Sequence, residues 1–84
     1  MEIANQSPYL GHLQAILAEA IQVPLDMVTP DLSFGDLPQW DSMGHMEIMM
    51  QLEMQMGVEV NADTISTLIS IPAICGYLAK NGKG

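Results

Sequence analysis

Apolar positions near the start of the chain recur with helical spacing. Leu10, Leu13, Leu17, Ala20 and Ile21 follow one another at intervals of three, four, three and one, with Ile16 beside the stripe. This pattern predicts one amphipathic helix face. Ser7 and Pro8 precede it as a cap and a first helical residue. Val23-Pro24 predicts its end, because the residue before a proline is pushed out of helical geometry.

Between Pro24 and Asp41 the periodicity disappears. Pro24, Pro30, Gly35 and Pro38 punctuate the stretch, while Leu25, Val28, Leu32, Phe34, Leu37 and Trp40 are spaced along it. A long connection with regular apolar anchors predicts a loop packed over a core, and ordered loops of this kind usually carry function. A second helix is predicted over residues 42–56, with Gly57 in the usual stop position. Val58-Glu59-Val60 reads as briefly extended. Asn61 or Asp63 is expected to cap a short helix reaching Leu68 or Ile69, and Pro72 opens a last helix with Ala73, Ile74, Tyr77 and Leu78. The resulting expectation is an all-α fold: a four-helix bundle with a long first loop and a short third helix. The 84 residues allow one domain, 1–84, with 1–6 and 80–84 fraying at its ends.

The second helix has an unusual wheel. At about 100° per residue, His45, Ile48, Met49, Leu52 and Met56 form one stripe, the side expected to face the core. Met43, Met46, Met50 and Met54 form another, well over a right angle away and on the side of Glu47. A single amphipathic helix needs only the first. The second is either core gripped from another side or an exposed methionine face able to adapt to several partners. Six of the chain's eight methionines lie in this segment, between Met43 and Met56.

Charge narrows the function classes. Ten acidic residues stand against two lysines, a net charge of −8. Phosphate backbones and anionic lipid surfaces would repel such a chain, which argues against nucleic acid, while basic protein surfaces would attract it. Asp26, Asp31, Asp36 and Asp41 recur every fifth residue; this is not the alternate-position oxygen pattern of a calcium loop, and solvated loop acids fit better. Cys75 stands alone, which predicts a small buried residue rather than a disulfide or thiolate site. No apolar run approaches membrane-spanning length, and Glu2 stands where a secretory signal would carry basic residues. The expectation is a cytoplasmic, monomeric protein.

Chemistry concentrates at Trp40-Asp41-Ser42-Met43. Asp41 falls where the second helix begins, so its carboxylate can accept from exposed backbone amides and complement the helix dipole. Ser42 then lies in the first turn, accessible to another protein's active site. Ser42 as a nucleophilic catalyst would need a base, and the two histidines, His12 and His45, fit structural roles better. Two histidines and one remote cysteine offer no metal spacing, and a glycine-rich phosphate cradle is missing. The chain lacks the parts of an enzyme.

Residues from Leu13 to about Leu78 resemble the acyl carrier protein family, also called thiolation domains. The likeness is sharpest at Phe34-Gly35-Asp36-Leu37-Pro38-Gln39-Trp40-Asp41-Ser42-Met43, followed by Leu52-Glu53 and Gly57-Val58-Glu59-Val60. The resemblance implies that Ser42, with Asp41 before it, receives a 4'-phosphopantetheine arm from coenzyme A through a phosphopantetheinyl transferase. The arm's thiol would carry acyl groups to acyl-loading and acyl-transfer or condensing enzymes. It also implies docking on basic enzyme patches through Asp36, Asp41, Glu47 and Glu53. Independently of the resemblance, the stripe of Met43, Met46, Met50 and Met54 runs away from Ser42 along one side of the helix and is expected to add apolar contacts to such docking. Housekeeping fatty-acid carriers have a denser acidic run where this chain has Met54-Gln55-Met56, and a small pair where it has Gln39-Trp40. A specialised carrier is therefore expected, serving a secondary metabolite, lipid or surface-polysaccharide pathway. The alternatives are a D-alanyl-like or peptidyl carrier, suggested by Asp-Ser-Met, and an acidic helical interaction module without a cofactor.

Overall fold

The computed structural model describes residues 9–81. Among them are four α-helices: α1 (Leu10–Ile21), α2 (Ser42–Met56), α3 (Ala62–Thr67) and α4 (Ile71–Asn81). A 3-10 turn, Leu25–Met27, interrupts the long connection between α1 and α2. The expected all-α bundle with a long first loop and a short third helix is therefore observed. The expected Ser7 cap and Pro8 helix start lie outside the described residues, as do residues 1–6.

The helix ends follow from local chemistry. Gln22 turns left-handed after α1, with φ 58°, and Pro24 cannot continue the helix. Gly57 adopts φ 69° after α2, where its N–H reaches the carbonyls of Glu53 and Leu52. Asn61 caps α3 reciprocally: its Oδ1 accepts from Thr64 N–H at 2.9 Å, while Thr64 Oγ1 accepts from Asn61 N–H at 2.9 Å. Thus Asn61, of the two residues considered, is the cap. Ser70 Oγ accepts from Ala73 N–H at 3.1 Å and opens α4, with Pro72 in its first turn. Lys80 and Asn81 belong to α4, where the sequence suggested a frayed end.

The apolar stripes meet in one core. Leu13, Ile16, Leu17 and Ile21 of α1 face Ile48, Met49 and Leu52 of α2, with Ile71, Ile74, Cys75 and Leu78 from the other side. Removal of such side chains from water is the main favourable term in a domain of this size. Cys75 is a buried core residue, as its isolation suggested.

One expectation about the connecting segments changes. Val28, Leu32 and Trp40 are buried anchors of the first loop, but Leu25 and Phe34 remain exposed. Leu25 belongs to the 3-10 turn, and Phe34 is turned toward His45 at the surface instead of into the core. Residues 58–60, expected to be briefly extended, lie between α2 and α3 in neither a helix nor a strand. The sole strand-like pairing among the described residues is the antiparallel bridge between Ser33 and Ser70. Phe34 N–H donates to Ile69 carbonyl at 2.8 Å and Ile71 N–H to Leu32 carbonyl at 2.9 Å, which pins the loop to the start of α4. Gln14 Nε2 ties α1 to the same loop through Val28 carbonyl at 2.6 Å.

Candidate functional site

The long loop delivers the chain to α2 through a series of closed turns. Gly35, at φ 90°, occupies a left-handed conformation that a side chain would strain. Its N–H donates to Trp40 carbonyl at 3.2 Å, and Trp40 N–H donates to Leu37 carbonyl at 3.0 Å. Asp36 Oδ2 accepts from Ser33 N–H at 2.9 Å. Asp36, expected as a docking acid, therefore also shapes the turn that leads to the site.

Asp41 is the α2 cap, in extended geometry, and its Oδ1 accepts from Gly44 N–H at 2.9 Å. Ser42 is the first helical residue and is exposed. Its hydroxyl thus stands at the positive end of a 15-residue helix, beside first-turn amides that helix geometry leaves without intrahelical partners. A phosphodiester formed there would carry its negative charge where the helix favours an anion. The site fits a phosphate-linked group on Ser42.

Other serines are placed differently. Ser70 Oγ caps α4, Ser66 Oγ donates to Asp63 carbonyl at 3.1 Å, and Ser33 sits half-buried in the bridge to Ser70. None follows an aspartate at the start of a long helix. Ser7 lies outside the described residues.

Glu47 and Glu53 are exposed on α2. The second methionine stripe is also outside the core: relative exposure is 80% for Met43, 43% for Met46, 49% for Met50 and 73% for Met54. Of the two readings of that stripe, the exposed face is the one observed. The acids and methionines share one helix with Ser42.

His45 lies on the core-facing stripe and is 5% exposed. Trp40 Nε1–H donates to its Nδ1 at 3.1 Å, and its Nε2 lies 2.7 Å from Ile65 carbonyl. Indole nitrogen is a donor only, so Nδ1 is the acceptor and Nε2 carries the proton given to Ile65. Phe34 stands edge-on to the imidazole with centroids 5.6 Å apart, and Trp40 stacks beside it at 6.2 Å. His12 is exposed and 3.2 Å from Gln55 Oε1, linking α1 to α2. Both ring nitrogens of His45 are thus engaged by Trp40 and Ile65, and His12 pairs with Gln55.

Gly44 and Trp40 have roles that sequence reasoning missed. A Cβ on Gly44 would overlap Gln39 carbonyl oxygen, so this position permits close approach of the loop to α2. A glycine in the first turns of an otherwise good helix is the signal that could have revealed it. Among the described residues no group of acids, histidines and cysteines could hold a metal ion, and no helix is long and apolar enough to cross a membrane.

The family model for the phosphopantetheine attachment site matches residues 12–78. The chain belongs to this family of phosphopantetheine-bearing carriers. An acyl carrier protein of Thermosynechococcus vestitus is 30% identical, covering 88% of this chain and 91% of that protein. One from Thermobifida fusca is 30% identical over 90% of this chain and 96% of its own length. A meromycolate extension acyl carrier protein of Mycolicibacterium aurum is 29% identical, covering 92% of this chain and 79% of that protein. The family's cofactor is 4'-phosphopantetheine, attached covalently to a serine, and its members are carriers that perform no catalysis themselves. This chain is accordingly an acyl carrier, and phosphopantetheinyl transferases and acyl-handling enzymes are the partners the family implies.

Proposed function

We propose that the chain carries acyl intermediates as thioesters on a 4'-phosphopantetheine arm attached to Ser42 Oγ. The observation that supports this most is the exposed Ser42 at the first position of α2, immediately after the capping Asp41. On a transferase, Ser42 Oγ attacks the coenzyme A phosphorus that bears the pantetheine. A new P–O bond forms as the pyrophosphate P–O bond breaks. The serine proton passes to a base of the transferase, and adenosine 3',5'-bisphosphate leaves. The arm supplies the thiol chemistry, and this chain supplies position and recognition.

Partner choice follows from α2. Glu47 and Glu53, with Asp36 and Asp41 before the helix, steer basic enzyme surfaces toward Ser42, and Met43, Met46, Met50 and Met54 offer adaptable apolar contact. Because part of that contact is apolar, binding is less sensitive to salt than in a carrier with a dense acidic helix. Met54 and Gln55 occupy surface where housekeeping fatty-acid carriers have acids, which favours a specialised lipid, secondary-metabolite or surface-polysaccharide pathway. Relatives named as acyl carriers favour an acyl cargo over an aminoacyl one. The protein works as a cytoplasmic monomer in this reading.

Incubation with coenzyme A and a broad-specificity phosphopantetheinyl transferase tests it. One arm's mass is expected to appear, and the new thiol is then expected to take an acyl group cleavable by hydroxylamine. A chain that stays at its unmodified mass would leave the interaction-module reading in its place.

A further inference from the structure

The residues on either side of Ser42 are joined over its back. Trp40, two positions before it, donates its indole N–H to Nδ1 of His45, three positions after it, at 3.1 Å. Inside that closure Asp41 Oδ1 holds Gly44 N–H at 2.9 Å, and His45 N–H donates to Asp41 carbonyl at 2.7 Å. The other imidazole nitrogen reaches Ile65 carbonyl of α3 at 2.7 Å. Both Trp40 and His45 are buried, so these bonds face little competition from water. One imidazole therefore fastens three parts of the molecule: the loop that leads into the site, the first turn of α2, and α3.

A core position on α2 could have been filled by an aliphatic side chain. Instead it holds a ring whose two nitrogens both have partners, and the indole that it fixes precedes the Asp41 cap directly. The backbone from Trp40 to His45 has little freedom while both bonds stand. We propose that His45 is a positioning residue for arm attachment. By accepting from Trp40 and donating to Ile65, it fixes the start of α2 so that Ser42 Oγ meets the transferase in an attacking geometry. This inference rests on Ser42 being the attachment point.

The two ring nitrogens can be separated by substitution. His45→Asn keeps an acceptor near the Nδ1 position for Trp40 but cannot reach Ile65. His45→Gln places an amide donor near the Nε2 position for Ile65 but offers Trp40 nothing. Trp40→Phe removes the indole donor and keeps a buried aromatic ring. Loading of each apo chain from coenzyme A is measured well below its unfolding midpoint, so that every chain is folded.

Misplacing a nucleophile by about 1 Å can lower a rate by up to about a hundredfold, so kcat for loading is expected to fall roughly tenfold in Trp40→Phe and His45→Gln. KM is expected to stay near the wild-type value, since the docking surface of α2 is untouched, and His45→Asn is expected to lose less of kcat than His45→Gln, because it keeps the Trp40 bond that spans the Ser42 turn. Unchanged kcat in Trp40→Phe, or equal loss in His45→Asn and His45→Gln, would overturn the positioning role. Amide exchange at Gly44 and His45, whose N–H groups are held by Asp41 Oδ1 and Asp41 carbonyl, gives a reading independent of loading. It is expected to accelerate in Trp40→Phe, and an unchanged rate there would overturn the inference by itself. A wild-type chain that failed to load would contradict the proposed function instead, and the exchange rates would still decide the positioning of the Ser42 turn.

Discussion

Gly44→Ala is a sharp test of how closely the loop must approach the site. An added Cβ would overlap Gln39 carbonyl oxygen and lie 3.1 Å from Ile21 Cγ2 and 3.3 Å from Gln39 C. Gln39 contributes backbone here, which cannot swing aside as a flexible side chain could. Overpacking of this kind typically costs about 1–3 kcal/mol. Alanine returns about 1 kcal/mol of helix propensity relative to glycine. The steric term is expected to win, for a net loss of up to about 2 kcal/mol. For a domain of this size about 2 kcal/mol corresponds to a fall in Tm of roughly 8–16 °C. Relief of the overlap moves Gln39 away from α2, and Trp40 with it. Gly76→Ala supplies the opposite sign: Gly76 is within α4, nothing lies within 4 Å of its added Cβ, and it is exposed. That variant is expected to gain about 0.5–1 kcal/mol. Thermal unfolding followed by circular dichroism and by the fluorescence of Trp40, the chain's one tryptophan, reads both variants. A Gly44→Ala chain as stable as Gly76→Ala would refute the reasoning about close approach.

Asp41→Ala removes the acceptor for Gly44 N–H and is expected to lower stability by about 1 kcal/mol, read by urea unfolding, with Asp41→Asn keeping most of it. Met50→Glu and Met54→Glu, at exposed positions, are expected to change stability by no more than about 0.5 kcal/mol. The same variants are expected to slow cargo transfer to the cognate enzyme and to improve use by housekeeping fatty-acid enzymes; full transfer by folded variants would contradict the docking face. Acyl chains that retreat into the bundle are expected to shift the methyl resonances of Met49 and Met56 progressively with chain length, because methionine repacks at low cost. Shifts limited to the surface around Ser42 would count against such retreat.

What the sequence showed and what it hid divide along the range of the interactions. The Asp41 cap, the Gly57 stop and the end of α1 near Pro24 rest on chemistry within a turn, and each was legible. The two stripes of α2 were legible as periodicity, although only the fold shows Met43, Met46, Met50 and Met54 to be the outward one. Ser42 stood out because a cap, a helix start and a family motif coincide there. The bond from His45 to Ile65 and the bridge from Ser33 to Ser70 join segments far apart in sequence, and no local pattern announces either. Leu25 and Phe34 were misread as buried anchors for a related reason: in a stretch without periodicity, hydrophobicity does not say which way a side chain turns. Asp36 was legible as a loop acid but not as the acceptor for Ser33 N–H.

Side-by-side intact-mass measurement of the wild-type chain and Ser42→Ala, after coenzyme A and transferase treatment, bears most directly on the function. The wild-type chain is expected to gain one arm, and fragmentation to place it on residue 42. Ser42→Ala is expected to gain nothing while keeping its helical spectrum, since losing a first-turn hydroxyl costs at most about 1 kcal/mol. A mass gain that persisted in Ser42→Ala, or an arm found on Ser33, Ser66 or Ser70, would contradict attachment at the start of α2.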